Sequence, residues 1–204
     1  MTTIAEIMTQ APVIPVIVID DLSQAEPLAR ALVAGGLPVL EVTLRTPVAL
    51  DAIRAMKTVP GAVVGAGTVT GEADLADALE AGAQFVVSPG LTEPLANAAS
   101  RERVPFLPGI ATAGDIMRGL DLGLTHFKFF PAVAAGGIPA LKALAAPFAQ
   151  CRFCPTGGIG PDEAPDWLAL DAVLCVGGSW VAPRGLVHAE NVTRLAREAA
   201  GLER

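Results

Sequence analysis

The chain has 204 residues, of which 52% are apolar and 4% aromatic, and it contains no tyrosine. This length and composition fit one domain over residues 1–204 with a large aliphatic core. The formal net charge is −7 and no cluster of Lys and Arg occurs, which argues against nucleic acid and anionic membranes as partners.

Short runs rich in Val, Ile and Phe alternate along the chain with longer, Ala-rich amphipathic stretches. The predicted strands are Val13–Ile19, Val39–Thr43, Val63–Gly65, Phe85–Val87, Pro105–Leu107, His126–Phe130, Arg152–Cys154 and Ala172–Val176. The predicted helices are Thr3–Met8 before the first strand, then Ser23–Ala34, Pro47–Lys57, Gly71–Ala81, Glu93–Arg103, Ala113–Leu122, Gly137–Ala146, Pro161–Leu168 and Glu190–Ala200.

Eight strand–helix units in succession predict a parallel sheet with helical crossovers, and eight is the number that closes a barrel. We therefore expect an α/β fold, a (β/α)8 TIM barrel with a short N-terminal helix. The alternative is an open, doubly wound sheet, which usually has fewer strands and a point where the strand order reverses.

The active site of such a barrel lies at the carboxyl ends of its strands, so the residues that follow each strand carry the chemistry. Lys128 is one of only three lysines, and it is flanked by aromatic residues at the end of the sixth strand. An amine buried without a partner favours its neutral form, which is a nucleophile towards ketones. The alternative is a structural ion pair with a carboxylate in the core, for which Glu41 is the obvious candidate.

Glu41 shares one face of the second strand with Val39 and Thr43, because side chains alternate with a period of two. A carboxylate that points into a barrel suggests general acid/base work, and an ion pair with Lys128 or Arg45 is the structural alternative. Arg45 follows in the loop after this strand, where a guanidinium could bind a carboxylate with two hydrogen bonds. A surface arginine is the alternative at that position.

Paired glycines follow the last two strands, at Thr156-Gly157-Gly158 and at Gly177-Gly178-Ser179. The loops after strands seven and eight are a frequent phosphate site in these barrels, and glycines let backbone N–H groups approach an anion. Tight turns without a ligand are the alternative. Two such turns in this position favour the phosphate interpretation.

Other classes of site are not expected. The histidines are isolated and no cluster of metal ligands occurs, and Gly65–Gly71 has one residue too many for a dinucleotide fingerprint. We expect neither metal nor cofactor.

The three cysteines predict reduced thiols in the core and a cytoplasmic location. The N-terminus has no basic region, so no signal peptide is expected, and no apolar run has the length of a membrane span.

Six segments resemble the bacterial 2-keto-3-deoxy-6-phosphogluconate (KDPG) aldolase family, which includes 4-hydroxy-2-oxoglutarate aldolase activity. They are EVTLRT at 41–46, GAGTV at 65–69, SPG at 88–90, FKFFPA at 127–132, PTGGI at 155–159 and GGSW at 177–180. The resemblance covers nearly the whole chain in order. It implies a homotrimer of (β/α)8 barrels in the Entner–Doudoroff route. The implied reaction cleaves a phosphorylated keto acid to pyruvate and D-glyceraldehyde 3-phosphate.

The same resemblance implies a role for individual residues. Lys128 would form the Schiff base and Glu41 would be the acid/base, while Arg45 and Thr68 would bind the pyruvate carboxylate. The positions implied for the pocket wall are Pro89, Phe130 and Thr156, and those implied for phosphate are Gly157, Gly158, Gly178 and Ser179.

Three alternatives to this activity remain at the level of sequence. A related aldolase acts on the galactonate epimer, although its strand-2 motif lacks the arginine found here as Arg45. A phosphate-binding barrel isomerase or epimerase would use Glu41 as its base and Lys128 as an electrostatic group, without a Schiff base. A non-catalytic phosphosugar-binding protein would bind the ligand and turn nothing over.

Overall fold

The computed structural model describes residues 2–185 and 188–203. Its strands are β1 Val13–Ile17, β2 Val39–Thr43, β3 Val63–Gly67, β4 Val86–Val87, β5 Phe106–Leu107, β6 Gly109–Ile110, β7 His126–Phe129, β8 Arg152–Pro155 and β9 Val176–Gly178. Its α-helices are α1 Ile4–Met8, α2 Ala25–Ala34, α3 Ala49–Met56, α4 Glu72–Ala81, α5 Glu93–Arg101, α6 Ala113–Asp121, α7 Gly137–Ala145, α8 Ala164–Leu168 and α9 Ala189–Ala200, with a 3-10 turn at Leu22–Gln24.

The strands form a curled sheet in which every described pair is parallel. Six strands follow the order β5-β4-β3-β2-β1-β9, and three more follow the order β6-β7-β8. The register is longest between β2 and β3, where Val39 pairs with Val63 and Thr43 with Gly67. The carboxyl ends of the strands therefore lie at one edge of the sheet. The α/β class and the parallel arrangement are as the sequence predicted.

The two groups of strands approach each other at two places. Pro108 alone separates β5 from β6, and its carbonyl accepts a hydrogen bond from Lys128 N at 2.8 Å. On the other side, isolated parallel bridges join Phe153 to Val173 and Thr156 to Gly177. Proline lacks an N–H group, which accounts for the interruption between β5 and β6.

The predicted bounds of the last strand, Ala172–Val176, were wrong. The strand is Val176–Gly178, and Val173 makes only an isolated bridge, because its N–H closes a turn onto Leu170 O at 2.8 Å. The strand therefore begins later and runs through two glycines, which are uncommon in strand interiors. Three helices begin two or more residues later than predicted: α2 at Ala25, α3 at Ala49 and α8 at Ala164.

The core is aliphatic, as expected, and α1 covers part of it. Thr3 and Glu6 form a reciprocal capping box at the start of α1. Ile7 and Met8 are fully buried and pack in a cluster with strand residues that include Val39 and Phe85. The three cysteines are buried and form no disulfide with one another. Within the described residues, no helix is long and apolar enough to cross a membrane.

Candidate active site

Lys128 and Glu41 lie side by side on two strands that are distant in sequence. Lys128 lies on β7 and Glu41 on β2, and their side chains are almost completely buried, with residue exposures of 6% and 3%. Lys128 Nζ donates a hydrogen bond to Glu41 Oε1 at 3.0 Å. Lys128 Nζ also lies 5.3 Å from the ring centroid of Phe130, which is within range of a cation–π interaction.

The position of the Glu41 carboxylate depends on the absence of a side chain on the neighbouring strand. A Cβ at residue 67 would lie 2.7 Å from Cγ of Glu41 and would overlap Oε1. Gly67 pairs with Thr43 in the β2–β3 register, so it lies directly beside the carboxyl end of β2. The carboxylate thus occupies space that only a glycine at this position leaves open.

These two charged groups lie in a cavity of about 290 Å³, near the small end of the range for ligand sites. The residues that line it are Val16, Glu41, Thr43, Arg45, Thr68, Pro89, Lys128, Phe130, Thr156, Gly157, Gly158, Ile159, Gly177 and Ser179. All of the site residues expected from the sequence are on this list except Gly178. A Cβ at Gly178 would meet the Trp180 ring, so a side chain at this position would point away from the cavity.

The cavity wall contains four residues to which the sequence analysis gave no individual role in the site, namely Val16, Thr43, Ile159 and Gly177. Thr43 was detectable, because it lies two positions after Glu41 on the same face of β2. Gly177 was also detectable as the neighbour of Gly178 in the second glycine pair. A Cβ at Gly177 would overlap the Thr156 hydroxyl, so this glycine makes room for a cavity side chain.

The cavity wall also carries the guanidinium cation of Arg45. Arg45 is an exposed residue, and its Nε donates a hydrogen bond to Thr43 Oγ1 at 3.1 Å. Across the described part of the chain, no carboxylate is within ion-pair distance of Arg45. Thr68 lines the same cavity with a φ of 63°, in the left-handed region that non-glycine residues rarely adopt. Such outliers cluster at functional sites.

Backbone turns form another part of the cavity wall. Gly157 and Gly158 have φ values of 106° and 80°, which a residue with a side chain rarely adopts. They follow β8 after one intervening residue, Thr156, and Ser179 follows β9, so both turns lie at the carboxyl edge of the sheet. Consecutive backbone N–H groups in such turns form concave sites for anions. Residues 2–185 and 188–203 contain no group of three or more His, Cys, Asp or Glu side chains that could hold a metal ion.

Comparisons with known proteins agree with this geometry. The KDPG and KHG aldolase family model matches residues 4–198. The KHG/KDPG aldolase of Escherichia coli is 57% identical over 202 residues, which cover 97% of this chain and 95% of that protein.

Two solved structures superpose closely on this chain. The KDPG aldolase of Zymomonas mobilis with 3-phosphoglycerate is 58% identical with a TM-score of 0.97, over 98% of this chain and 96% of the other. The Legionella pneumophila KDPG aldolase, with pyruvate captured at low pH as a covalent carbinolamine, is 46% identical with a TM-score of 0.95, over 98% and 99%. The chain belongs to the KDPG and KHG aldolase family, whose members are lyases.

Proposed function

We propose that this protein is a metal-independent class I aldolase that cleaves 2-keto-3-deoxy-6-phosphogluconate to pyruvate and D-glyceraldehyde 3-phosphate through a Schiff base on Lys128. The observation that carries the proposal is the buried Lys128 amine, 3.0 Å from the Glu41 carboxylate inside a cavity. The carbinolamine of pyruvate captured in the Legionella relative supports the same chemistry.

The first stage makes the covalent adduct. Glu41 accepts a proton from the Lys128 ammonium, and the neutral Nζ forms a bond to C2 of the ketone. A proton passes from this nitrogen to the former ketone oxygen, which gives a neutral carbinolamine. Glu41 then returns its proton to the C2 hydroxyl, which leaves as water. Glu41 is again a carboxylate, and the iminium that remains withdraws electrons from the neighbouring carbons. Covalent catalysis of this kind divides one difficult step into easier ones.

The second stage breaks the C3–C4 bond. Glu41, directly or through one water, removes the proton of the C4 hydroxyl, and the electrons of the C3–C4 bond move to the iminium nitrogen. The aldehyde leaves, and the enamine takes a proton at C3 from Glu41. Water then attacks C2 and releases pyruvate from Lys128. A single carboxylate beside the amine supports both proton transfers.

The remaining residues hold the two anionic ends of the substrate. Arg45 and Thr68 bind the carboxylate, and Pro89, Phe130 and Thr156 form the wall around the reacting carbons. The backbone of Gly157, Gly158 and Gly178 and the Ser179 hydroxyl bind the phosphate. All of these residues except Gly178 line the cavity, and Gly178 would contribute only its backbone N–H group.

A second substrate is 4-hydroxy-2-oxoglutarate, which would give pyruvate and glyoxylate. The KHG/KDPG name of the Escherichia coli relative favours it. This substrate shares the 2-keto carboxylate with the first and lacks the phosphate, so the Gly157–Gly158 turn would contribute less to its binding.

The test compares pyruvate release from three compounds at equal concentration: the phosphorylated gluconate, its galactonate epimer, and 4-hydroxy-2-oxoglutarate. We expect faster turnover of the gluconate compound than of 4-hydroxy-2-oxoglutarate, because phosphate and carboxylate are then both bound. We expect it to exceed turnover of the galactonate epimer, because the chain has Arg45, which the strand-2 motif of the galactonate enzyme lacks. Faster turnover of the galactonate epimer would assign the chain to that related activity. Ligand binding without pyruvate release from any of the three would favour a binding protein.

We also propose that the described strands close into one eight-stranded (β/α)8 barrel and that residues 1–204 form a single domain. The bridges Phe153–Val173 and Thr156–Gly177 and the one-residue gap between β5 and β6 support closure. The family resemblance further suggests a homotrimer, and Met117 and Val133, exposed by 57% and 49%, offer apolar surface for contacts between copies. Light scattering on the purified protein tests the trimer.

Gly67→Ala is expected to disturb Glu41 selectively. Because the new Cβ would overlap the carboxylate, we expect the free energy of unfolding to fall by about 1–3 kcal/mol. We expect kcat to fall by about tenfold or more, which corresponds to about 1.4 kcal/mol in the barrier. Steady-state kinetics and urea unfolding measure the two effects.

Gly71→Ala is the matched control, because a Cβ at Gly71 meets open space in the loop just after β3. In a Glu41→Ala background the stability cost of Gly67→Ala should disappear, since the overlapping carboxylate is gone. A Gly67→Ala enzyme with wild-type kcat would show that the carboxylate does not depend on Gly67.

A further inference from the structure

Thr43 is a buried polar residue in the cavity wall to which the reaction above gives no role. It is 2% exposed and lies on the same face of β2 as Glu41. Its hydroxyl makes two hydrogen bonds of different kinds. Thr43 Oγ1 donates to the carbonyl of Ile17 on β1 at 2.8 Å, and it accepts from Arg45 Nε at 3.1 Å.

The directions of these two hydrogen bonds are fixed by the chemistry of the groups. A carbonyl only accepts and a guanidinium only donates, whereas a hydroxyl carries one proton and two lone pairs. The single Thr43 proton is therefore committed to Ile17, and its lone pairs face Arg45. This arrangement ties the guanidinium of an otherwise exposed residue to the frame of the β1–β2 pair.

The hydrogen bond to Thr43 also determines which nitrogens of Arg45 can bind a ligand. With Nε bonded to Thr43, the two terminal nitrogens remain for a ligand, and two parallel N–H donors match the oxygens of a carboxylate. A second contact holds the backbone here, since Arg45 N donates to Thr43 O at 2.8 Å. An arginine held in one orientation loses less rotamer freedom when it binds than a free one does.

We propose that Thr43 is a positioning residue that orients Arg45 towards the carboxylate of the keto acid. The inference rests on the proposed function, because it takes Arg45 as the carboxylate ligand. The hydroxyl does not touch the reacting carbons, and it acts through the guanidinium alone. Its effect should therefore appear in substrate binding and leave the chemical steps unchanged.

The test replaces Thr43 with valine, which keeps the β-branched shape and removes the hydroxyl, and with serine, which keeps the hydroxyl. We measure KM and kcat for cleavage, and the pyruvate concentration that half-saturates borohydride trapping, which involves no phosphate. For Thr43→Val we expect KM and the half-saturating pyruvate concentration to rise about tenfold, the scale of one charge-assisted hydrogen bond. We expect kcat of this variant, and both constants of Thr43→Ser, to stay near wild type.

Thr46→Val is the matched control. Thr46 Oγ1 donates to the carbonyl of Ile19, in the loop after β1, at 2.6 Å. Within the described residues, its hydroxyl accepts nothing from an arginine. Thr46→Val therefore loses the same kind of hydrogen bond, from a threonine hydroxyl to a backbone carbonyl near β1, without affecting Arg45. We expect its KM to be unchanged.

Three results would overturn the inference. An unchanged KM in Thr43→Val, with a raised KM in Arg45→Ala, would show that Arg45 binds the substrate without help from Thr43. Equal rises in Thr43→Val and Thr46→Val would mean a general disturbance of the β1–β2 edge. Absence of cleavage and trapping in the wild type would remove the proposed function itself, and the inference would fall with it.

Discussion

Lys128→Ala is expected to lose nearly all cleavage activity while the protein stays folded. The variant lacks the only described amine in the cavity, so neither carbinolamine nor iminium can form. Loss of a covalent nucleophile lowers kcat on the order of 10⁶-fold in a well-studied hydrolase, and we expect a loss of similar size here. Pyruvate release measured with excess enzyme sets the limit of detection.

The structural cost of this variant can be measured separately. Removal of Lys128 leaves the Glu41 carboxylate in the cavity without its partner, and breaking a buried ion pair costs about 3–5 kcal/mol. Circular dichroism and urea unfolding establish that the variant is folded under the assay conditions. Lys142→Ala, on the exposed face of α7, is the matched control and should keep full activity. A folded Lys128→Ala enzyme with near-normal turnover would rule out the Schiff base at this residue.

Glu41→Gln has the second largest expected effect. The amide keeps nearly the same shape beside Lys128 but cannot take a proton. Positioned general acid/base groups contribute about 10²–10⁴-fold, and we expect kcat to fall within that range. Glu80→Gln, at an exposed position of α4, is the matched control and should behave as wild type.

A second measurement on Glu41→Gln follows the proton directly. In deuterated water the wild-type enzyme should exchange the methyl hydrogens of pyruvate, because Glu41 moves protons to and from C3 of the enamine. The variant should exchange them far more slowly. Exchange at the wild-type rate would assign the proton transfer to another group and leave Glu41 as a structural partner of Lys128.

The alternation of strands and helices was readable from the sequence because each element has its own hydrophobic period. The predicted bounds of β2 are the observed ones, and the buried pair of Lys128 and Glu41 was anticipated as a structural alternative to catalysis. The ion pair is buried, as the structural interpretation expects, and both residues also line the cavity, as the catalytic interpretation expects. A structural ion pair and a catalytic one are indistinguishable by composition alone.

Other features depended on contacts that the local sequence does not encode. The late start of β9 follows from its pairing with β1 through Gly177 and Gly178, which are poor strand formers on their own. The Trp180 ring likewise occupies the space where a side chain at Gly178 would lie. The role of Thr43 depends on Ile17, 26 residues earlier, and no spacing rule connects the two.

The most direct test of the central claim is the intact mass of the protein after incubation with pyruvate and borohydride. We expect one reduced pyruvyl unit per chain, mapped by peptide analysis to the fragment that contains Lys128. An unmodified, folded protein, or an adduct at Lys57 or Lys142, would contradict the Schiff-base mechanism at Lys128. The unmodified result would favour a barrel isomerase that uses Glu41 as its base.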